Sequence, residues 1–315
     1  MVSLIVLARR ILGRRGTFLL RTVLTELTYR VGFFYEYADS LGKKNGISAV
    51  MCLYNEEDWV KSAMLSLKEL VDEYVVVDSS SDRTPFIARE VAEEHGLNLK
   101  LIRIQPGSLV EAKLTGLKNS SYKWILFHDG DMVLYEWAPR IIREVVESLN
   151  PRRHYLVYWK YLLMCGDVHH VCGSEPYHIE HWLVTYSQKL KYKYLDHGRG
   201  VRMETLIAPL RLYKPIYIDK ILGVHLAHVR SPEKIALKYI GLQHRKRLLE
   251  YTSSGVSAEE AVVRIAREVY GAQSLRELGE KLINDMVSKL PRYEEAKHGP
   301  LPRVLVDYLR KEITW

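Results

Sequence analysis

Apolar residues follow two alternating patterns between residues 47 and 128. Short continuous apolar runs, typical of buried strands, are separated by segments in which apolar residues recur every three or four positions, as on one face of a helix. The predicted strands are 47–53, 74–77, 99–104 and 124–128, and the helices predicted between them are 58–70, 85–95 and 109–117. Strands that alternate with helices are typical of βαβ units. The pattern therefore predicts an α/β fold with a mostly parallel sheet flanked by helices.

The pattern of the later chain is more mixed. A helix is predicted at 139–149 and strands at 155–164 and 216–229, with an irregular stretch rich in His, Tyr and Lys between the two strands. Beyond residue 231 the pattern is helical. Ser257 and Ser274 each precede a glutamate by three positions, and this spacing is the capping box that begins a helix. A last helix is predicted at 303–313. The predicted divisions are an N-terminal amphipathic helical segment (1–44), an α/β domain (45–230) and a C-terminal helical extension (231–315).

The N-terminal segment combines apolar residues with arginines at positions 9, 10, 14 and 15. One interpretation is an amphipathic segment that lies on an anionic membrane surface. The other is a pair of helices packed on the main domain, since amphipathic helices usually face a core. The positive charges follow the apolar run instead of preceding it, which argues against a signal peptide. No apolar stretch reaches the roughly 20 residues of a membrane-spanning helix.

Charge and cysteine content narrow the classes of partner. A net charge of +8 and a pI near 9.2 favour an anionic partner such as a nucleoside diphosphate or an anionic lipid surface. Nucleic acid is not expected, because no nucleic-acid-binding motif accompanies the charge. The sequence also allows a homo-oligomer. Three cysteines in 315 residues suggest a reducing, cytoplasmic location, with peripheral contact at the cytoplasmic face of a membrane as an option.

Two of these cysteines, Cys165 and Cys172, enclose His169 and His170. Their spacing matches no common zinc element. A local disulfide and an acceptor-site loop are therefore alternatives to a structural zinc site.

Two carboxylates follow the fourth predicted strand. Asp129 and Asp131 are separated by Gly130. In a parallel α/β sheet the ligand crevice lies at the carboxyl ends of the strands, where paired carboxylates can hold a hard divalent cation and thereby phosphate oxygens. A solvated turn is the alternative. No G-x-G-x-x-G follows the first strand and no Walker P-loop sequence occurs, which argues against a nicotinamide dehydrogenase and excludes a P-loop ATPase.

Three ordered motifs resemble family 2 glycosyltransferases of the GT-A type. They are Tyr54-Asn55-Glu56-Glu57, the segment 72–84 that contains V-V-V-D-S-S-S-D-R-T, and Asp129-Gly130-Asp131. The later segment 225–233, H-L-A-H-V-R-S-P-E, is similar to the H-Y-G-x-V-R-x-P-E segment of some of these transferases. The resemblance implies a Rossmann-like GT-A domain with a nucleotide-binding half at 45–131 and an acceptor half at 132–230.

The resemblance also implies the roles of individual residues. The nucleotide-binding residues would be Tyr54, Asn55, Glu56, Asp78, Ser80, Lys113 and Asp129. Among them Glu56 and Asp78 would hold the base and ribose, and Lys113 would be near phosphate unless it is an ordinary exposed lysine. The metal ligands would be Asp129, Asp131 and His225, holding Mn²⁺ or Mg²⁺, and the imidazole favours Mn²⁺. The alternative for His225 is a core histidine.

An inverting transfer needs a carboxylate that takes the proton of the attacking hydroxyl. The first candidate is Glu204, because residues 201–206, V-R-M-E-T-L, resemble in part a V-H-E-x-L segment of relatives; the second is Asp196. We therefore expect a metal-dependent glycosyltransferase of the hexosyltransferase class. Its donor would be a UDP- or GDP-sugar, and its acceptor a saccharide hydroxyl or a lipid-linked phosphate. A catalytically silent nucleotide-sugar-binding or scaffold protein and a nucleotidyltransferase are the alternatives.

Overall fold

The computed structural model describes residues 4–31, 42–196 and 202–306. The chain forms two compact units. Unit 1 comprises Met1–Lys160 and Ile179–Gly223, and unit 2 comprises Tyr161–His178 and Val224–Trp315. In the described parts of the chain, no helix is both long and apolar enough to cross a membrane.

Helices and strands alternate in the first half of the chain and separate into groups in the second. The helices are α1 (Leu4–Val31), α2 (Val60–Leu67), α3 (Thr84–His95), α4 (Leu109–Asn119), α5 (Ala138–Ser148), α6 (Pro232–Gln243), α7 (Arg245–Ser253), α8 (Ala258–Tyr270), α9 (Leu275–Val287) and α10 (Glu295–His298). The strands are β1 (Lys44–Leu53), β2 (Glu73–Asp78), β3 (Leu99–Arg103), β4 (Tyr122–Phe127), β5 (Met132–Leu134), β6 (His154–Cys165), β7 (Tyr177–Thr185), β8 (Lys191–Asp196), β9 (Arg202–Ile207) and β10 (Tyr213–His228).

The first four strands form a parallel array in the order β3-β2-β1-β4, and the sheet continues as β7-β6-β10-β5. Strand β7 pairs antiparallel with β4. The register sets Leu53 beside Asp78 and Asp78 beside Arg103, so the carboxyl ends of β1, β2 and β3 lie level. The predicted α/β fold, with a mostly parallel sheet flanked by helices and a helical C-terminal region, is confirmed.

Local sequence explains why these elements form where they do. Every residue of β2 is buried, as expected of a central parallel strand made largely of valine. Helix α4 begins at Ser108, whose side chain accepts a hydrogen bond from the backbone N–H of Glu111. Inside α4, a Cβ at Gly116 would collide with Val50 of β1, so glycine lets this helix lie directly on the sheet. Helix α4 is thereby held against the strands that carry the candidate site.

The prediction of an irregular stretch between β6 and β10 is wrong. This stretch contains β7 and the antiparallel pair β8–β9, in which Tyr194 lies opposite Glu204. The K-Y-K-Y-L alternation of β8 buries Tyr192 on one face, and Leu206 is buried in β9. The short strand β5 was not expected either. Of the last predicted helix, residues 303–306 are helical and residues 307–315 lie outside the described part.

Unit 2 carries the C-terminal helices. Their apolar core is formed by Ala236, Ile240, Val262, Ile265, Ala266, Ala272 and Leu278. The N-cap serines of both predicted capping boxes are confirmed, because Ser257 accepts from the N–H of Glu260 and Ser274 from that of Glu277. Cys165 and Cys172 form a disulfide, so the local-disulfide alternative describes this loop.

Candidate active site

Three segments meet at the carboxyl edge of the parallel strands in unit 1. Residues 54–57, the first loop, follow β1, and residues 79–83, the second loop, follow β2. Residues 129–131, the acidic turn, come after β4, which is parallel to β1. This edge is the usual location of ligands in open α/β sheets.

Hydrogen bonds connect the first two loops directly. The Asn55 N–H donates to Ser80 Oγ at 2.8 Å, and the Ser81 N–H donates to Asn55 Oδ1 at 2.9 Å. The Glu56 N–H donates to Thr84 Oγ1 at 2.8 Å. Asn55 has a φ of 56°, a left-handed conformation that Asn tolerates better than most residues. The side chains of Asn55 and Ser80 therefore hold the two loops together, and their predicted contact with nucleotide remains a prediction.

The Asp78 carboxylate is fully buried and bound from two sides. Ser80 Oγ donates to its Oδ1 at 2.6 Å, and the Arg103 guanidinium donates to its Oδ2. Arg103 Nη2 also donates to the Ser80 carbonyl at 2.8 Å. Asp78 thus organises the edge, and its predicted contact with base or ribose stays a prediction. Arg103 was missed in the sequence, where the only signal is a basic residue at the end of the third strand.

The acidic turn presents one exposed and one buried carboxylate. Asp129 has 42% of its side chain exposed, whereas Asp131 is only 6% exposed. Lys113 Nζ lies 2.9 Å from Asp129 Oδ1. Lys113 is buried, so the exposed-lysine alternative is wrong. Burial by itself would lower the pKa of Lys113, but the groups around it, the Asp129 carboxylate foremost, together raise this pKa. Lys113 therefore stays charged and fixes one side of the turn.

Gly130 places the acidic turn against the first loop. A Cβ at this position would lie 2.8 Å from Leu53 Cδ2 and 2.9 Å from Glu56 Cβ. Only a glycine fits there without a shift of these side chains. The predicted acidic pair and the first loop therefore form one compact cluster.

The β8–β9 pair brings Glu204 into the same region. The Tyr192 ring packs edge-on against Phe127 at 5.3 Å, and burial raises the Tyr192 pKa. Burial also raises the pKa of the Cys52 thiol to about 11. The positive charge of Lys113 opposes this rise, and the negative charges of Asp129 and Glu204 add to it. Glu204 and Asp129 thus act electrostatically on one thiol.

The other predicted residues are placed as follows. The Tyr54 ring is exposed on the first loop, where a base could stack on it. Asp196 ends β8, but its side chain lies outside the described residues. His225 belongs to unit 2, where its Nδ1 lies 3.3 Å from Nδ1 of His178 and the two rings stack. This histidine partner was not expected from the sequence.

Within 4–31, 42–196 and 202–306, no three or more His, Cys, Asp or Glu side chains form a metal-binding group. Two carboxylates at one turn nevertheless suit Mg²⁺ or Mn²⁺, because such cations are often held by one or two carboxylates together with substrate phosphates.

Residues 48–158 match the family model "Glycosyl transferase family 2". The matched segment is about a third of the chain and is similar to this family. Over 111 residues the chain is 32% identical to the poly-beta-1,6-N-acetyl-D-glucosamine synthase of Staphylococcus epidermidis. The matched region covers 34% of this chain and 26% of that protein. The chain thus matches about a quarter of that relative's length.

Two solved structures resemble the chain weakly. S. aureus TarS 1–349 in complex with UDP-GlcNAc is 15% identical, with 70% of this chain and 73% of that chain covered and a TM-score of 0.33. The mannosyltransferase PcManGT from Pyrobaculum calidifontis, in complex with GDP-Man and Mn²⁺, is 14% identical, with 96% and 90% covered and a TM-score of 0.40. The segment that matches the family 2 model, here called the family 2 segment, contains most of β1, all of β2 to β5, both loops and the acidic turn.

Proposed function

We propose that this protein transfers a sugar from a UDP- or GDP-sugar to an acceptor hydroxyl or lipid phosphate, with inversion at the anomeric carbon. The observation that carries the proposal is the acidic turn of the family 2 segment. It lies at the carboxyl edge of the parallel strands, is packed on the first loop through Gly130, and presents the exposed Asp129 carboxylate beside the buried Asp131.

Asp129 and Asp131 would hold Mn²⁺ or Mg²⁺, while the role predicted for His225, which belongs to unit 2, stays a prediction. When bound, the cation neutralises charge that develops on the leaving nucleoside diphosphate. Lys113 supports this arrangement from the protein side, because its ammonium group fixes Asp129 Oδ1. The exposed Tyr54 ring would stack on the base, and the loops connected by Asn55 would enclose the ribose.

Glu204 is the proposed general base, with Asp196 as the alternative. The acceptor oxygen forms a bond to the anomeric carbon while the bond from that carbon to the diphosphate oxygen breaks. The proton of the acceptor hydroxyl passes to the Glu204 carboxylate. The position of Glu204 supports this role, because it lies opposite Tyr194, whose hydroxyl accepts a hydrogen bond from the N–H of Leu109 at the start of α4, the helix that carries Lys113.

Thermal-shift titrations test donor binding. UDP, GDP and their sugars are added with and without Mn²⁺, and the release of free nucleoside diphosphate is followed in parallel. We expect one nucleotide class to raise the melting temperature only with metal and to be turned over. Stabilisation that does not depend on metal, without turnover, would indicate the silent binding protein. Release of pyrophosphate from a nucleoside triphosphate and a sugar phosphate would indicate a nucleotidyltransferase.

The proposed base is tested by Glu204→Gln. The amide keeps the shape of the side chain but cannot accept a proton, so we expect kcat to fall by about 10²–10⁴. Donor affinity, measured by titration calorimetry, should stay within about threefold of the unmodified protein, since the base contacts the acceptor. A kcat that is unchanged would remove Glu204 from the mechanism and leave Asp196 to be tested in the same way.

A further inference from the structure

Helix α1 packs on the rest of unit 1 in part through polar side chains. The Arg21 guanidinium donates to the carbonyls of Ala208 and Pro209, both at 3.2 Å. Thr25 Oγ1 donates to the Tyr213 carbonyl at 3.1 Å, and both Arg21 and Thr25 are buried. A surface helix normally buries its apolar side and exposes its polar one. The packed side of α1 buries Arg21 and Thr25 beside the Phe18 ring, which lies 6.0 Å from Tyr158, while large apolar side chains of the same helix are exposed.

The one acidic residue of α1 is also bound on the packed side. Glu26 pairs with Arg153 Nη1 at 3.1 Å and with Lys214 Nζ at 2.6 Å. Tyr29 accepts a hydrogen bond from the His154 N–H at 2.8 Å. These contacts fix which side of α1 faces away from the rest of unit 1.

That outward side carries an apolar stripe. Its members recur every fourth residue and are Val23 at 48% exposed, Leu27 at 53%, Leu19 at 64% and Val31 at 65%. Leu12, before the kink at Gly13, is exposed as well. Four-residue spacing places side chains on one face of a helix. Monomeric proteins rarely leave such a row of large apolar side chains uncovered, and exposed rows of this kind mark interaction sites.

The charge of α1 indicates what covers the stripe. The helix sequence contains arginines at positions 9, 10, 14, 15, 21 and 30, and its single acid is Glu26. Arg15 and Arg30 are exposed. Because Glu26 is already neutralised by Arg153 and Lys214, the charge around the stripe is positive. Two copies that met through this stripe would bring like charges together, whereas an anionic bilayer offers both apolar depth and negative headgroups.

We propose that the α1 stripe (Leu19, Val23, Leu27 and Val31) inserts into an anionic membrane surface, with the exposed arginines on lipid headgroups. Unit 1 then lies at the membrane, because α1 is hydrogen-bonded to it through Arg21 and Thr25. The proposal stands independently of sugar transfer, since it rests on the exposure and charge of α1 alone.

Vesicle sedimentation of the full chain tests the proposal. The vesicles contain phosphatidylcholine alone or phosphatidylcholine with 30% phosphatidylglycerol, at low and high salt. We expect binding to the anionic vesicles that weakens with salt, and at least about a tenfold loss of partitioning for Leu19→Gln/Val23→Gln/Leu27→Gln. About half or more of each of these side chains is exposed, and circular dichroism verifies that the variant is folded.

A matched control removes three equally exposed apolar side chains elsewhere, as Phe86→Gln/Leu242→Gln/Leu249→Gln. This control should bind vesicles as the unmodified chain does. Equal binding by both triple variants would overturn the proposal. So would the absence of vesicle binding together with a dimer, seen by light scattering, that the stripe variant abolishes.

Discussion

Asp78 and Asp129 both lie at the carboxyl edge of the parallel strands, but their surroundings differ. Asp78, at the end of β2, is fully buried, and its oxygens already accept hydrogen bonds from Ser80 and Arg103. Asp129, after β4, has a partly exposed carboxylate that pairs with Lys113 through one oxygen. The β2 side of the edge is thus built to be rigid, and the β4 side retains carboxylate surface for a ligand.

This contrast shows that a motif position does not by itself define a role. Both aspartates follow a buried strand, and both belong to the motifs that resemble family 2 transferases. Their chemistry differs because a neighbouring strand supplies Arg103 to Asp78, whereas Asp129 lies on a turn that opens toward solvent. Stability should therefore depend mainly on Asp78, and turnover mainly on the acidic turn.

The largest effect on stability is expected for Asp78→Asn. The amide nitrogen is a donor and would face the donors of Ser80 or Arg103 inside a buried site. Removal of one partner of a fully buried ion pair costs about 3–5 kcal/mol. Because the Arg103 side chain is 48% exposed, we expect the free energy of unfolding, measured in urea, to fall by less, about 2–3 kcal/mol.

Asp129→Asn is the paired measurement. Its amide oxygen can still accept the hydrogen bond of Lys113, but the buried ammonium group loses its counter-charge, so we expect a loss of about 1–2 kcal/mol, smaller than that of Asp78→Asn. Equal losses of stability for both variants would show that the contrast between the two sides of the edge is wrong.

A smaller loss of stability is expected for Gly130→Ala. The new Cβ would meet Leu53 Cδ2 and Glu56 Cβ below 3 Å, and overpacking of this kind costs about 1–3 kcal/mol. Gly107→Ala is the control, because no atom lies within 4 Å of a Cβ built there. Gly130→Ala should also weaken donor binding, since the acidic turn would move away from the first loop. If its melting temperature matched that of Gly107→Ala, the close contact between turn and loop would be contradicted.

The smallest effect concerns Cys52, which lies beneath the edge. Burial raises its pKa from an ordinary 9.0 to about 11, so the folded chain holds the thiol proton more tightly than the unfolded chain does. This contribution to stability is complete below pH 9 and is lost as the pH rises through about 11. Comparison of unfolding curves for the unmodified chain and Cys52→Ala isolates it from other titrating groups. Parallel pH profiles for the two proteins would contradict the burial of this thiol.

Much of the parallel sheet could be predicted from the sequence, because its signals are local. The V-V-V run of β2 and the spacing of apolar residues in α3 and α4 each lie within one element. The acidic turn was found in the same way. Arg103 could not be assigned, since its contact with Asp78 depends on strand register and is 25 residues away in sequence.

The remaining differences between the predicted and the observed structure concern β8 and α1. The alternation in β8 indicates a strand, but Lys and Tyr are both partly polar, so the sequence did not show which face is buried. For α1, the same apolar pattern fits a helix that packs on the core and a helix that faces outward. Only the contacts of Arg21, Thr25 and Glu26 distinguish the two.

The central claim, that the acidic turn carries sugar transfer, is tested most directly by Asp131→Asn. The measurement is the metal-dependent release of nucleoside diphosphate from the donor sugar that stabilises the protein. We expect kcat/KM to fall by at least about a hundredfold, because the lost carboxylate is a proposed ligand of the cation that stabilises the leaving group. Asp285→Asn, at an exposed carboxylate of α9, should leave turnover unchanged. Turnover by a folded Asp131→Asn protein within about threefold of the unmodified chain, less than 1 kcal/mol in barrier height, would contradict the account.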